Sequence, residues 1–170
     1  MKISLTGYMG AGKSTIGQKL ALETGLDFYD LDTEIEKDTG YTITETIFNK
    51  GELYFRELEH KKLQALLQKN NMILSTGGGT PCYYDNMDLI NKSSFSVYLK
   101  YSVKELYNRL EGKQSERPLL AHLNGQQLQE YIGKHLFERN IYYEKATVVL
   151  PSGSLTDQEI VNKIKELINE

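Results

Sequence analysis

Gly7-Tyr8-Met9-Gly10-Ala11-Gly12-Lys13-Ser14-Thr15 follows an apolar lead-in, Ile3 and Leu5, and opens a helical run. The pattern is G-x-x-x-x-G-K-[ST], and its physics is that of a phosphate cradle. Gly7, Gly10 and Gly12 let the backbone curl so that successive N–H groups converge on phosphate oxygens. The N-terminus of the following helix adds positive potential. In that setting Lys13 holds the β- and γ-phosphates and the Ser14 hydroxyl ligates Mg²⁺. The bland alternative is a Gly-rich turn capped by a surface lysine, and the strand before and helix after argue against it.

Outward from the cradle, short apolar runs alternate with helical periodicity. Residues 2–6 form a buried strand, and 14–23 a helix with Ile16, Leu20 and Ala21 inward, stopped by Gly25. Further strands are expected at 28–31, 72–75, 95–99 and 147–150. Helices are expected at 34–38, capped by Asp32 or Thr33, and at 42–49, 52–69, 85–91, 103–110, 126–144 and 157–169. Residues 112–124 are polar, broken by Pro118 and without sustained periodicity, which predicts a flap. Strands alternating with helices predict an α/β three-layer sandwich, a parallel sheet covered on both faces, with ligand at the carboxyl ends of the strands. The cradle follows the first strand, Asp30 and Asp32 end the second, and Thr76-Gly77-Gly78-Gly79 ends the third. All three are therefore expected around one crevice.

The 170 residues suit one domain, 1–170, able to bury roughly 70% of its unfolded surface. A net charge of −3 and a pI near 5.7 speak against a nucleic-acid partner bound on a broad basic face, while a local basic pocket for a small anion remains compatible. Lone Cys82 excludes an internal disulfide and fits a reducing compartment. With no charged leader and no run of about 18 apolar residues, a cytoplasmic protein without a membrane partner is expected. No repeat or low-complexity tract marks an internal boundary.

The class depends on what stands beside the γ-phosphate. Asp30 and Asp32, two apart, point the same way if the strand continues through them. Asp30 is then placed to orient Mg²⁺ through water, and Asp32 to accept a substrate hydroxyl proton; a pair of capping acids is the competing explanation. Arg56 and Glu59, three apart on a helix, can pair, with His60 on the same side. On a surface such a pair is ordinary, but in the crevice Glu59 sets a guanidinium fork ready for a carboxylate. Residues 77–79 are either a loose turn or bare backbone that a small anionic ligand can approach. Arg117, followed by Pro118, is either solvated or a cation that closes on the transferring phosphoryl. Arg139 sits in a polar helix where a plain salt bridge is the default. Cys82, His122 and His135 lack metal-ligand spacing and read as structural.

Together these pieces resemble the shikimate kinase family, nearly end to end. The phosphate loop is similar to Gly7 through Thr15, the family's D-x-D to Asp30-Leu31-Asp32, and its F-R-x-x-E to Phe55-Arg56-Glu57-Leu58-Glu59. T-G-G-G matches Thr76-Gly77-Gly78-Gly79, R-P-L-L matches Arg117-Pro118-Leu119-Leu120, and R-x-x-x-Y matches Arg139 and Tyr143. Six short motifs in order at suitable separations are specific where any one is weak. The resemblance implies transfer of the γ-phosphoryl of ATP to the 3-hydroxyl of shikimate in aromatic amino-acid biosynthesis. It implies ATP held by Gly10, Ala11, Gly12, Lys13, Ser14, Thr15 and Arg117, and shikimate held by Asp32, Arg56, Gly78 and Arg139. Catalysis falls to Asp32, Lys13 and Arg117, and Mg²⁺ to Ser14 directly and Asp30 through water. It further implies a five-stranded sheet in the order 2-3-1-4-5, a shikimate-binding region at 33–61, a lid at 112–124, and a monomer. Arg109 is placed against the adenine, with the loop around Ser152 on the other side. The family's Y-x-x-x-A is one residue shorter here, at Tyr143-Glu144-Lys145-Ala146, which bears on the adenine loop alone.

Other kinases of this architecture predict different surroundings. A gluconate kinase would keep the cradle without a clamp from Arg56 and Arg139, and a nucleoside monophosphate kinase would need a base pocket within 33–61. A GTP-dependent switch would need D-x-x-G and N-K-x-D; neither occurs, since Asn91-Lys92 lacks the aspartate. A non-catalytic nucleotide-binding module would keep Lys13 and lack a positioned acid.

Overall fold

The computed structural model describes residues 1–114 and 119–169. Five strands, β1 (Lys2–Thr6), β2 (Asp27–Asp30), β3 (Met72–Ser75), β4 (Phe95–Lys100) and β5 (Val148–Pro151), form one parallel sheet ordered β2-β3-β1-β4-β5. This is the order that the family resemblance implies. β1 is central: Ile3 lies opposite Ile73 of β3 and Phe95 of β4. The loop leaving β1 therefore opens at the middle of the carboxyl edge, between the ends of β3 and β4.

Among the described residues eight helices cover the two faces: α1 (Lys13–Thr24), α2 (Leu31–Thr39), α3 (Ile43–Lys50), α4 (Glu52–Leu67), α5 (Asn86–Ser93), α6 (Val103–Leu110), α7 (Gly125–Tyr143) and α8 (Asp157–Asn169). A 3₁₀ turn spans Thr80–Cys82. One core cluster joins Leu5 and Val97 of the sheet to Leu20 of α1, Leu106 of α6 and Ile160 of α8. The second joins Leu74 of β3 to Leu31 and Ile35 of α2, Phe55 and Leu63 of α4, and Ile90 of α5. Each such side chain, fully withdrawn from water, contributes about 1.5–3 kcal/mol. The second cluster fixes α4, which carries Arg56, to β3, which leads into the glycine triplet.

Local sequence explains where the helices start. Thr42 with Glu45, Ser102 with Glu105, and Asn124 with Gln127 form reciprocal capping boxes at α3, α6 and α7. At α2 the expectation is corrected. Neither Asp32 nor Thr33 is the cap, because the Asp30 carboxylate accepts the Thr33 N–H at 3.2 Å and starts the helix at Leu31. β2 ends at Asp30, so the two acids are not related by strand alternation. Asp32 enters the crevice from the first turn of α2. Arg117, and with it part of the flap expected at 112–124, lies outside the described residues.

Candidate functional site

The cradle has the expected backbone. Gly10 and Gly12 are left-handed, with φ of 82° and 83°, and a Cβ on Gly10 would sit 2.9 Å from Leu110 Cδ2. α1 has no side-chain cap and no acid in its first turn, whereas α2, α3, α6 and α7 are capped by side chains. The first N–H groups of α1 are thus left for an anion. Lys13 Nζ donates to the carbonyls of Gly7 at 2.8 Å and Tyr8 at 3.0 Å, folded onto the loop it would serve. A cleft of about 480 Å³ opens here, with Gly12, Ser14 and Thr15 on one side, Asp32 and Gly78 on another, and Asn108 and Lys113 beyond. Ala11 is buried beneath the loop, 1% exposed, so any contact it makes with phosphate is through its backbone.

The carboxylates occupy the same cleft. Ser14 Oγ donates to Asp30 Oδ2 at 2.5 Å and lies 3.2 Å from Ser75 Oγ, gathering hard oxygen atoms beside the cradle. Asp32 has a carboxyl pushed up from 3.8 to about 6. Burial is the main cause, reinforced by the charges of Glu59 and Asp30 and opposed by Lys13. Such a group is ionised at neutral pH yet basic enough to take a proton.

The glycine triplet is where the rest converges, each glycine admitting a different neighbour. A Cβ on Gly77 would stand 3.1 Å from Glu59 Oε1 and 3.2 Å from Asp32 Oδ1. On Gly78 it would stand 3.5 Å from Arg139 Nη1, and on Gly79 2.6 Å from Arg56 Nη2. The main chain at Gly79 has φ of −88°, so glycine is required there by the guanidinium lying on it. Arg56 donates through Nη1 to Glu59 Oε2 at 2.9 Å, and Tyr83 covers its other face with the ring centroid 4.1 Å from Cζ. Arg56 Nε is buried without a hydrogen-bond partner, a donor whose unpaired state costs about 1–3 kcal/mol. Arg139 makes no ion pair with a described residue, so the default salt bridge is not what holds it. Its Cζ lies 5.7 Å from the Tyr8 ring. Thus Lys13, Asp32 and Gly78 line one cleft, and Arg56 and Arg139, from two further segments, reach its edge at Gly79 and Gly78.

Arg109 and Ser152, the residues named for the adenine, hold the following positions. Arg109 Nε donates to the Gly10 carbonyl at 2.6 Å and its Cζ stands 4.9 Å from the Tyr101 ring, which puts it on the rim of the cradle. Ser152 is fully buried and donates to the Leu150 carbonyl at 2.8 Å, so its side chain is not offered to a ligand. Motif spacing could not reveal the Tyr143 hydroxyl donating to the Gly78 carbonyl at 2.5 Å. Nor could it reveal Thr80 donating to Glu59 Oε1 at 2.7 Å. Cys82 stands near Arg139 and Arg56, but burial pushes its thiol up to about 11 and keeps it protonated. Among the described residues no helix is long and apolar enough to cross a membrane.

Comparison with known proteins points to one family. A family model described as shikimate kinase matches residues 9–169. A shikimate kinase of Flavobacterium johnsoniae is 45% identical over 169 residues, covering 98% of each chain. Among solved structures, a shikimate kinase from Bacteroides thetaiotaomicron superposes with a TM-score of 0.95 at 34% identity, covering 100% of this chain and 99% of that one. A shikimate kinase from Acinetobacter baumannii, solved in complex with shikimate, gives 0.89 at 32% identity over 99% and 92%.

Proposed function

The chain belongs to the shikimate kinase family, and from that premise we propose how its cleft transfers the γ-phosphoryl of ATP to the 3-hydroxyl of shikimate, in aromatic amino-acid biosynthesis. The observation that carries the assignment is the convergence of the Lys13 cradle, the Asp32 carboxylate and the Arg56 and Arg139 guanidinium groups on residues 77–79.

ATP lies with its phosphates over Gly10, Ala11, Gly12, Lys13, Ser14 and Thr15. Lys13 exchanges its two carbonyl partners for the β- and γ-phosphates, and the uncapped start of α1 adds N–H donors. Arg117 is assigned to the lid, residues 112–124, where it stabilises charge on the transferring group. Ser14 and Asp30 would hold Mg²⁺, Ser14 directly and Asp30 through water. Their oxygen atoms suit a hard cation that keeps several waters. The ion supplies charge neutralisation on the triphosphate.

Shikimate presents its carboxylate to Arg56 and Arg139. That removes the unpaired state of Arg56 Nε and gives Arg139 a counter-ion. A fork held by Glu59 fixes the direction of the acid, and Gly78 leaves room for the ring. The 3-hydroxyl then meets Asp32, which accepts its proton while the hydroxyl oxygen bonds to the γ-phosphorus. The bond to the β–γ bridging oxygen breaks, and its electron pair leaves with ADP. We assign the whole chain to one domain, with residues 33–61 as the shikimate-binding region. It acts as a cytoplasmic monomer with no nucleic-acid or membrane partner.

The test is a coupled assay of the purified chain with ATP and Mg²⁺ across shikimate, gluconate and nucleoside monophosphates. Turnover with shikimate alone is expected. Turnover with gluconate or a nucleotide, and none with shikimate, would overturn the assignment.

A further inference from the structure

We propose that Thr80 and Asn86 are positioning residues for the acid-binding arginine: the hydrogen-bonded chain His60–Asn86–Thr80–Glu59–Arg56 aims Arg56 and so sets the affinity for the substrate carboxylate. The proposal rests on the assignment of Arg56 to that carboxylate.

Asn86 is fully buried at the start of α5 and uses both ends of its amide. Nδ2 donates to the Thr80 carbonyl at 2.8 Å, and Oδ1 faces His60 Nδ1 at 2.6 Å. Only an N–H can meet a carbonyl, so the amide orientation is determined, and His60 must carry a proton on Nδ1. His60, Glu59 and Arg56 lie within one turn of α4, so this amide ties that turn of α4 to the 3₁₀ turn after the glycine triplet. Thr80 closes the circuit. Its hydroxyl donates to Glu59 Oε1 at 2.7 Å, and its N–H donates to the Gly77 carbonyl at 3.2 Å.

Glu59 is 1% exposed and commits one oxygen to each partner, Oε1 to Thr80 and Oε2 to Arg56. Without the Thr80 donor the carboxylate keeps only the guanidinium and can rotate about its terminal torsion, carrying Arg56 with it. The donated proton also steadies a Glu59 charge that stands close to Asp32, since both carboxylates crowd the same side of Gly77. Arg56 packs against the Gly79 backbone and the Tyr83 ring, so its remaining freedom is rotation in that plane; Glu59 on Nη1 at 2.9 Å is the closer of its two acidic partners, the other being Glu52 on Nη2 at 3.5 Å, half-exposed at the rim.

Steady-state kinetics of Thr80→Val, Thr80→Ser, Asn86→Ala and Arg56→Lys test this, with melting temperatures measured in parallel. Thr80→Val, nearly isosteric, is expected to raise KM for shikimate about 10-fold while kcat and KM for ATP stay within about twofold. Thr80→Ser restores the donor and should return KM to within about threefold of the parent. Asn86→Ala should shift the same constant in the same direction; if it fails to fold, the Thr80 pair decides. A Thr80→Val enzyme with normal shikimate KM, whatever its melting temperature, overturns the proposal, and if Arg56→Lys has raised that KM the assignment of Arg56 survives. If Arg56→Lys also leaves it unchanged, the clamp itself is misassigned.

Discussion

Replacing Asp32 with asparagine should make the protein more stable and nearly inactive at once. The carboxyl is displaced from 3.8 to about 6 by burial, Glu59 and Asp30, which corresponds to about 3 kcal/mol against the charged form. Water at the partly exposed side chain trims that to about 2 kcal/mol. The sign follows from proton uptake. The folded state holds this proton more tightly than the unfolded chain, so the fold loses stability as pH rises from about 4 to about 6, and the penalty is constant above that window. Asparagine carries no charge and escapes the penalty. For a protein of this size a gain of about 2 kcal/mol raises Tm by about 4–8 °C. The assay is thermal unfolding of the ligand-free parent and Asp32→Asn proteins at pH 8 and pH 3.5, with turnover measured at pH 8. The variant should melt higher at pH 8, converge with the parent at pH 3.5, and lose at least about 100-fold in kcat. A variant no more stable at pH 8, or one whose advantage is the same at both pH values, refutes the electrostatic account. Near-normal kcat refutes the role as base.

The same carboxyl should leave its mark on rate: kcat/KM for shikimate is expected to fall about tenfold per pH unit below about pH 6, and a flat profile down to pH 5 would exclude Asp32 as the titrating base. Gly79→Ala should raise KM for shikimate about 10-fold or more with KM for ATP unchanged, because the new methyl would meet Arg56 Nη2 at 2.6 Å where the backbone itself is unstrained; a change confined to ATP would place Arg56 elsewhere. Chelation by EDTA should abolish turnover and added Mg²⁺ restore it, and Asp30→Ala should raise the Mg²⁺ needed for half-maximal rate about 10-fold. An unchanged Mg²⁺ requirement would leave Asp30 as a helix cap and nothing more.

Much of the architecture was legible because it is local. The G-x-x-x-x-G-K-S signature, the apolar runs at β1 and β3, and the periodicity of α6 and α8 each carry their own information within a few residues. Asp30 and Asp32 were legible as a pair but not in their geometry. A two-residue spacing says the same thing to a strand and to a cap, and the Thr33 N–H decided between them. The resemblance put the acids and the arginines in one list, while their distances depend on long-range contacts. Tyr143 reaches Gly78 across 65 positions, and Thr80 reaches Glu59 across 21. Glycine at 79 read as part of a loose turn or as backbone open to a ligand, and what the fold adds is the volume a methyl would take from Arg56.

The bond from Tyr143 to Gly78 ties the end of α7 to the glycine triplet. Arg139 stands one turn from it, about 6 Å along the axis, whereas Gly125 at the far end is about 27 Å away. Gly125 leaves no room beneath the Tyr107 hydroxyl, and Tyr107 belongs to α6, whose Asn108 lines the nucleotide side of the cleft. One helix therefore bridges the two halves of the cleft, its last turn abutting the glycine triplet and its first abutting Tyr107 of α6.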